Sequence, residues 1–292
     1  MLSIIISSYQ KTYYDDLVKN ISETIGDGFQ YEIIQIWNPN LMGITKAYNQ
    51  GAEQSVYEHL LFIHEDILFH TNDWGEKLLA HLNQPNAGII GLAGSSYVPV
   101  APSSWTVSEK YNFVHILQGN KEKSTSTLIN TTKEHLHKVY AVDGVFIAVK
   151  KEVFNAFKFN EELLKGFHGY DLDFSLRVSR KFQNYIVDDI LIEHFSQGNL
   201  DQKWLDANIL IKQKQGSDFQ KIPDPETEKK IFLGFLYNYF QYYPVDQRNI
   251  LFTMKFYPFK RINFKDHFLI AKKYYHYLRY SSDINKKLNT TK

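Results

Sequence analysis

Three consecutive polar residues that could bind a metal ion follow one of the most apolar segments of the chain. In LLFIHEDILFH, residues 60–70, the apolar run leads into His64, Glu65 and Asp66. Side chains alternate along a strand, so His64 and Asp66 share one face and Glu65 points to the other. An imidazole, a carboxylate and diphosphate oxygens can together coordinate Mn²⁺ or Mg²⁺. Polar residues also end ordinary strands, and the triplet alone leaves both interpretations open.

Asp171 and His194 are two further candidates for chemistry. Asp171 begins the amphipathic segment DLDFSLRV, where a carboxylate near a helix start could take a proton from a substrate hydroxyl. The alternative is helix capping, for which Asp is a preferred residue. His194 follows DDILIE and shares a strand face with Ile190 and Ile192, where a lone His is more often a structural residue. Asp173 lies four residues before Arg177, and an ion pair within the helix explains it without catalysis.

These residues need elements that position them, and the first half of the sequence alternates apolar strands with amphipathic helices. Strands are predicted in LSIIISS, YEIIQIW, HLLFI and AGIIGLAG, and helices in YYDDLVKNISETI, ITKAYNQGAEQS and NDWGEKLLAHLN. The alternation predicts an α/β fold with a mostly parallel sheet, in which ligands bind at the carboxyl ends of the strands. Residues 94–138 are polar, and we expect an irregular excursion or lid there. Strand signals return in VYAVDGVFIAVKKEVF and YIVDDILIEHF.

A break in composition predicts two parts of the chain. The segment KQGSDFQKIPDPETEKK separates a domain over residues 1–215 from an aromatic, basic and helical extension over residues 216–292. The extension has 14 Lys and Arg against 7 Asp and Glu, although the net charge of the whole chain is only +1. Such a segment fits helices packed on the catalytic domain, a surface that rests on anionic lipid, or a partner-binding face.

Several classes of protein lack support in the sequence. The absence of Cys excludes disulfides and thiolate metal sites, and a reducing compartment is expected. The N-terminus has no signal-peptide pattern and no apolar run is long enough to span a bilayer, so we expect a cytoplasmic protein. A P-loop, a dinucleotide-binding GxGxxG and a GxSxG elbow are all missing. No recognisable nucleic-acid-binding module occurs, and no nucleic-acid partner is expected.

Four segments in a fixed order carry a resemblance to a known family. SIIISSYQ, ITKAYNQGAEQS, LLFIHEDI and HGYDLDFSLRV have the order and spacing seen in the inverting, family 2-like glycosyltransferases of GT-A fold. FIHEDI, GLAGSS with Trp105 downstream, and VDGVFIAVKKEVF resemble more narrowly the bacterial branch with H-E-D in place of D-x-D. The resemblance covers about residues 1–200. It implies a Rossmann-like mixed sheet, a nucleotide-sugar donor with UDP-sugars as first candidates, and Mn²⁺ or Mg²⁺ on the donor diphosphate.

The same resemblance implies roles for individual residues. Asp66 matches the last acidic position of D-x-D, His64 stands at its first Asp, and His194 matches a third metal ligand. Asp171 matches the final Asp of the family's E-D motif, the catalytic base, and Tyr170 replaces the Glu. Donor-binding candidates are Ser7, Ser8, Tyr9, Asn38, Asn49 and Glu65, and acceptor-binding candidates are Trp105 and His168. The implied acceptor is a hydroxyl of a glycan or of a lipid-linked sugar. A lipid-linked acceptor favours a peripheral membrane contact through the extension.

Two other functions stay open on the sequence alone. A sugar nucleotidyltransferase would show a Gly-rich basic loop after the first strand, but SSYQKTYY contains no Gly. A non-catalytic nucleotide- or glycan-binding relative is favoured by His64 and Tyr170, which stand where the family has acidic residues. Tyr48 also stands where the family often has a phosphate-binding Arg.

Overall fold

The computed structural model describes residues 1–120, 125–196, 198 and 200–290, without the side chains of residues 289 and 290. The chain forms two units. The first comprises Met1–Tyr97 and Glu109–Asn199, and the second comprises Val98–Ser108 and Leu200–Lys292. This division differs from the predicted boundary at residues 215 and 216, because the helix before that boundary and the short segment 98–108 both belong to the second unit. As a limit of independent folding, the predicted boundary stays a prediction.

All strands of the described chain lie in the first unit. They are β1 (Leu2–Ser8), β2 (Tyr31–Trp37), β3 (His59–His64), β4 (Ile67–Phe69), β5 (Ala87–Gly91), β6 (Ala93–Ser95), β7 (Asn112–Asn120), β8 (Thr125–Asn130), β9 (Leu136–Val139), β10 (Ala141–Val142), β11 (Phe146–Lys150), β12 (Gln183–Val187) and β13 (Ile192–His194). A seven-stranded sheet has the order β2-β1-β3-β11-β5-β12-β9. β1 is parallel to β2 and β3, and β5 is parallel to β12, whereas β11 and β9 run antiparallel to their neighbours. The sheet is therefore mixed rather than mostly parallel.

A second sheet has the order β10-β6-β7-β13-β4, with β8 paired to β7. Most of it lies where the sequence predicted an irregular excursion over residues 94–138. That prediction was wrong for the strands β6 to β9, whereas residues 96–111 contain no strand or helix. β7 and β8 pair over six residue positions, but every residue of β8 is exposed. A strand held by backbone hydrogen bonds alone leaves no alternation of apolar and polar residues in the sequence. The segment YIVDDILIEHF likewise forms two strands, β12 and β13, in different sheets.

The helices described in the first unit are α1 (Lys11–Thr24), α2 (Ile44–Gln54), α3 (Trp74–Leu82), α4 (Lys151–Phe157) and α5 (Tyr170–Val178). α2 to α5 pack on the large sheet, and α1 packs on β4. The helix α2 lies very close to β1, since a Cβ on Gly51 would come within 2.3 Å of Ile5. Tyr48 of α2 packs on Phe62 of β3 with ring centroids 5.2 Å apart, and Phe154 of α4 packs on the same ring at 5.1 Å. This aromatic core holds α2 and α4 against the sheet.

The second unit is helical, as the sequence predicted for the extension. Its helices are α6 (Gln202–Gln215), α7 (Pro225–Tyr242), α8 (Gln247–Met254), α9 (Phe264–Arg279) and α10 (Ser281–Thr290). Asp201, Asp224 and Asp246 cap α6, α7 and α8, each accepting a backbone N–H three residues on. Lys212 and Glu228, both buried, bind the backbone of residues 99 and 100 and so attach the segment 98–108 to this unit. None of the helices in the described part of the chain has the length and hydropathy needed to cross a bilayer.

Candidate active site

The carboxyl ends of β1 and β3 meet at one edge of the large sheet. Because the two strands are parallel, Ser7 at the end of β1 lies beside His64 at the end of β3. The strand β11 runs antiparallel to β3 and begins at the same edge, and the His64 backbone N–H donates to the Val145 carbonyl. Residues 143–145, just before β11, therefore lie next to the histidine. This edge is where ligands bind in open α/β sheets.

His64, Asp66 and His194 form a cluster at this edge that could bind a metal ion. One ligand atom from each residue lies within 4.8 Å of the other two. His64 Nδ1 is 4.0 Å from Asp66 Oδ1, and His194 Nε2 is 3.6 Å from Asp66 Oδ2. All three side chains are partly exposed. Two imidazoles and one carboxylate at these separations can occupy one side of a divalent cation and leave its other positions open.

The pairing of the second sheet explains why His194 reaches this cluster. After β3 the chain passes through Glu65 and Asp66 into β4, which pairs antiparallel with β13, so that Ile67 lies opposite His194. The Phe195 backbone N–H donates to the Asp66 carbonyl at 3.1 Å. The structure thus brings His194, which only the resemblance assigned to the metal, next to His64 and Asp66, which strand alternation had already placed on one face.

A hydrogen-bond chain determines which nitrogen of His64 can bind a metal. The Tyr170 hydroxyl donates to the Gly144 carbonyl at 3.0 Å and lies 2.9 Å from His64 Nε2. Because the only hydroxyl proton goes to the carbonyl, His64 Nε2 must donate to the hydroxyl, which leaves Nδ1 unprotonated and directed at Asp66. Burial lowers the pKa of His64 despite the nearby Asp66, so the ring is neutral at pH 7. A neutral imidazole with a free Nδ1 is the form that binds metals.

Gly144 is required at its position by this arrangement. A Cβ there would lie 2.1 Å from the Tyr170 hydroxyl oxygen. Tyr170 is buried and its ring packs edge-on against Tyr48 and Phe159, at centroid distances of 5.7 Å in both cases. His64 and Tyr170, the two departures from the family motifs, therefore contact each other, and an imidazole–phenol pair stands where two acidic residues were expected.

Asp171 lies in the first turn of α5 and contacts Gly144, in the segment next to His64. Its Oδ2 accepts the Gly144 backbone N–H at 3.1 Å, while the side chain stays partly exposed. Burial, followed by repulsion from Asp143, raises the pKa of Asp171 to about 7, although hydrogen bonds from backbone N–H groups oppose the shift. A carboxyl group with such a pKa can accept a proton from a hydroxyl and release it again near neutral pH.

The capping alternative for Asp171 does not match the helix start. The N-cap of α5 is Gly169, whose φ of +82° is in the left-handed region, and no side chain caps the helix. Asp173 forms the expected pair with Arg177, with Nε 2.8 Å from Oδ2. However, Asp173 is fully buried and Arg177 also donates to the carbonyls of Phe157 and Lys158. The pair is therefore part of the core rather than a surface ion pair.

The donor-binding candidates divide into those that face the edge and those that support it. Ser7 and the exposed Tyr9 lie at the end of β1, and the Ser7 hydroxyl is 3.4 Å from the Asn38 amide nitrogen. Ser8 is fully buried and its hydroxyl accepts from Gln35. The Asn38 side chain bonds both the N–H and the carbonyl of Met42 and so closes the turn after β2.

Glu65 and Asn49 are both buried and their polar groups are engaged within the protein. The Glu65 carboxylate accepts the backbone N–H groups of Tyr9 and Gln10 at 3.1 to 3.2 Å, which holds the turn that follows β1. The Asn49 amide bonds the N–H and carbonyl of Phe159. The geometry of Glu65, Asn49 and Ser8 therefore supports a role in positioning the residues around a donor rather than direct contact with it.

The two acceptor-binding candidates lie in different units. His168 is partly exposed and precedes α5 by two residues, and its ring lies 5.8 Å from that of the exposed Phe167. The Phe167 ring in turn lies 5.8 Å from His64. Trp105 belongs to the segment 98–108 of the second unit. An approach of Trp105 to the site stays a prediction.

Sequence reasoning gave no role to Asp143, Gly144 or Phe167, which lie at the site. Asp143 accepts the Val145 N–H at 2.8 Å and acts electrostatically on both Asp171 and His64. The signal available in the sequence was an Asp-Gly pair one residue before the strand FIAVK. Without the antiparallel pairing of β11 with β3, nothing connected that pair with the H-E-D segment.

The architecture is that of the GT-A glycosyltransferases, and comparison with solved structures confirms it. The S. aureus TarS fragment 1–349 superposes with a TM-score of 0.51 at 13% identity, over 97% of this chain and 87% of that chain. GalNAc-T7, solved with UDP, GalNAc and Mn²⁺, has a TM-score of 0.51 at 11% identity, over 91% of this chain and 55% of that chain. This chain thus spans about half the length of the GalNAc-T7 chain. TarS 1–349 in complex with UDP has a TM-score of 0.50 at 13% identity, over 82% of this chain and 71% of that chain.

A family model described as a glycosyltransferase-like family matches residues 3–234, and the chain belongs to that family. This match confirms the family 2-like glycosyltransferase relationship that the sequence resemblance implied. The narrower assignment to a branch with H-E-D stays a prediction. No curated protein sequence is significantly similar to this chain.

Proposed function

We propose that this protein is an inverting, metal-dependent glycosyltransferase, of hexosyltransferase type, that transfers a sugar from a nucleotide-sugar donor to a hydroxyl of a glycan or lipid-linked acceptor. The observation that carries the proposal is the grouping of His64, Asp66 and His194 at the sheet edge that also holds Asp171. UDP-sugars are the first donor candidates, since TarS and GalNAc-T7 of the same fold have structures with UDP. A role in polysaccharide biosynthesis follows from this acceptor class.

His64 Nδ1, an Asp66 carboxylate oxygen and His194 Nε2 would hold the cation. Mixed nitrogen and oxygen ligands favour Mn²⁺ over Mg²⁺, which prefers oxygen ligands alone. When bound there, the cation would offset the negative charge that develops on the departing nucleoside diphosphate. The hydrogen bond between His64 and Tyr170 supports His64 as a metal ligand. A histidine that binds a metal through one ring nitrogen commonly donates the N–H of the other nitrogen to a fixed acceptor.

Asp171 is the proposed base. Its ionised carboxylate takes the proton of the acceptor hydroxyl while that oxygen bonds to the anomeric carbon. The bond from the anomeric carbon to the diphosphate oxygen breaks at the same time, and its electron pair leaves with the nucleoside diphosphate. A single displacement of this kind inverts the configuration at the anomeric carbon. The Gly144 N–H holds one oxygen of the carboxylate, which limits its rotation.

Ser7, Tyr9 and Asn38 are the proposed donor contacts, with Ser8, Asn49 and Glu65 supporting the pocket from behind. His168 and Trp105 are the proposed acceptor contacts. We further propose a cytoplasmic location with a peripheral contact at the inner face of the membrane, made by residues 216–292. Lipid-linked acceptors would be met there.

A donor screen by thermal shift tests the proposed function. UDP-, GDP- and CMP-sugars are compared with and without Mn²⁺, because a ligand that binds the folded state raises the melting temperature. We expect the largest shift with UDP-sugars and expect Mn²⁺ to increase it. No shift with any nucleotide sugar in the presence of Mn²⁺ or Mg²⁺ would refute the proposal.

The base assignment has its own test, which also separates an enzyme from a non-catalytic binder. Asp171→Asn should lower transfer by roughly 10²- to 10⁴-fold while donor binding is kept, since only proton acceptance is lost. Asp27→Asn is the matched control, because Asp27 is exposed in the turn between α1 and β2. Wild-type transfer by Asp171→Asn would rule out this residue as the base. Donor binding by a wild-type protein that transfers to no acceptor would favour the binder.

A further inference from the structure

One face of α9 exposes a row of large apolar side chains. Phe264, Phe268, Tyr275 and Leu278 are between 53% and 79% exposed. Their spacing of four, seven and three residues places them on one side of a 3.6-residue helix. With a rise of 1.5 Å per residue, this apolar row extends along about 21 Å of the helix. Exposed apolar side chains in a continuous row mark an interaction surface.

A row of basic residues runs directly beside the apolar row. Lys265, Lys272 and Arg279 are exposed and follow one another at intervals of seven residues, about two helical turns. Each lies on the same side of the apolar row. All of α9 is described, and its one carboxylate, on Asp266, is buried and bound to Lys229. The exposed surface of the helix therefore carries positive charge with no acidic residue to offset it.

The turn before α9 extends the apolar surface. Phe259 is 68% exposed, and its ring centroid lies 5.2 Å from that of His267. Phe264 and Phe268 contact each other edge to face at 5.4 Å. The opposite face of α9 packs into the helical core through Ile270 and Tyr277. The helix is thus held by its buried side, and the aromatic and basic rows are left on the outside.

We propose that these two rows of α9 form a docking surface for an anionic lipid bilayer, with the helix lying in the plane of the interface. An elongated apolar row with a continuous basic flank matches the acyl boundary and the anionic head groups, respectively. Charge complementarity selects this occupant over a second copy of the chain, since two such faces would bring six cations together. The proposal names the residues of the membrane contact proposed for residues 216–292 and the orientation of α9 at the membrane. It does not depend on glycosyl transfer.

Vesicle sedimentation of the full chain tests the proposal. Vesicles of phosphatidylcholine alone are compared with vesicles that also contain phosphatidylglycerol, at low and high salt. We expect the wild type to sediment with the anionic vesicles at low salt and to be released by high salt, which screens the charges. A wild type that stays in the supernatant with anionic vesicles would overturn the proposal.

Variants assign the binding to α9. Each basic residue near an anionic surface contributes about fivefold to partitioning, so K265Q/K272Q/R279Q should lower the partition coefficient by roughly 10²-fold. The control K133Q/K138Q/K181Q removes the same charge from exposed positions of the first unit and should bind as the wild type does. An equal loss in both variants would contradict the assignment to α9.

Three further measurements separate the lipid surface from a folding defect, from dimer formation and from the proposed function. F264S/F268S should reduce the bound fraction at both salt concentrations, because it removes apolar contact and keeps the charge. Sedimentation equilibrium that shows a dimer lost in F264S/F268S, with no vesicle binding by the wild type, would identify a second copy as the occupant instead. UDP binding is measured in each variant: vesicle binding lost with UDP binding retained supports the lipid surface. Vesicle binding by a wild type that binds no nucleotide would leave this surface standing and refute only the proposed function.

Discussion

Removing one hydroxyl group, by Tyr170→Phe, tests the hydrogen-bond chain that orients His64. The substitution leaves the Gly144 carbonyl and His64 Nε2–H without their partner. Buried polar groups left unpaired cost about 1 to 3 kcal/mol, so we expect the free energy of unfolding to fall by about 2 kcal/mol. His64 is then no longer held in the form with a free Nδ1, and the affinity for Mn²⁺ should fall by roughly 10- to 100-fold.

The assay for Tyr170→Phe is a titration with Mn²⁺ in the presence of saturating UDP, followed by the paramagnetic resonance signal of free Mn²⁺. Tyr239→Phe is the control, because Tyr239 is also buried and its hydroxyl donates one hydrogen bond, to Asn249 in the second unit. It should lose about 1 kcal/mol of stability and keep the wild-type affinity for Mn²⁺. Equal affinities of Tyr170→Phe and wild type would refute the role given to this hydroxyl.

Further predictions concern the proposed metal ligands, the proposed base and the Asp173–Arg177 pair. Asp66→Ala should abolish the Mn²⁺-dependent part of UDP binding, and His64→Ala should weaken it less, because the carboxylate carries the charge. UDP binding is measured by calorimetry with and without Mn²⁺. Wild-type UDP binding by both variants would contradict the assignment. Because burial raises the pKa of Asp171 to about 7, transfer should fall as the pH drops below 7, and a pH profile without a change there would count against the base. Because the pKa of Asp171 is higher in the folded than in the unfolded chain, its protonated form stabilises the fold at low pH. This stabilisation is complete below the pKa of the unfolded state and is lost as the pH rises through about 7. The melting temperature of the wild type relative to Asp171→Asn should therefore decline as the pH rises to about 7. Asp173→Asn should lower the free energy of unfolding by about 3 kcal/mol in denaturant titrations, since it leaves Arg177 without its buried partner. A decrease of only a few tenths of a kcal/mol would show that the two residues behave as a surface ion pair.

The elements with a clear pattern of apolar residues could be predicted from the sequence. The run LSIIISS and the alternating YEIIQIW gave β1 and β2 with the bounds that the structure has, and α2 ended within one residue of its prediction. The strand β8 could not be predicted, because all of its side chains are exposed and the backbone of β7 alone holds it. The grouping of segment 98–108 with the second unit could not be predicted for a similar reason: its attachment depends on Lys212 and Glu228, more than a hundred residues away.

The site was predictable only in its parts. The alternation along a strand placed His64 and Asp66 on one face, and the resemblance added His194 and Asp171. The contact of His64 with Tyr170 was not visible, because the two residues are 106 positions apart and neither matches the family motif. The resemblance marked Tyr170 as a departure that weakens the case for catalysis. In the structure its hydroxyl instead contacts His64, the residue that the resemblance placed at the first Asp.

The most direct test of the proposed site is the anomalous scattering of manganese in a crystal soaked with MnCl₂ and UDP. We predict a single strong peak within coordination distance of His64 Nδ1, the Asp66 carboxylate and His194 Nε2, with the UDP diphosphate completing the coordination. The same crystal of Asp66→Ala should lack the peak. Density for UDP without a manganese peak among these three residues, or a peak at another position in the chain, would contradict the account.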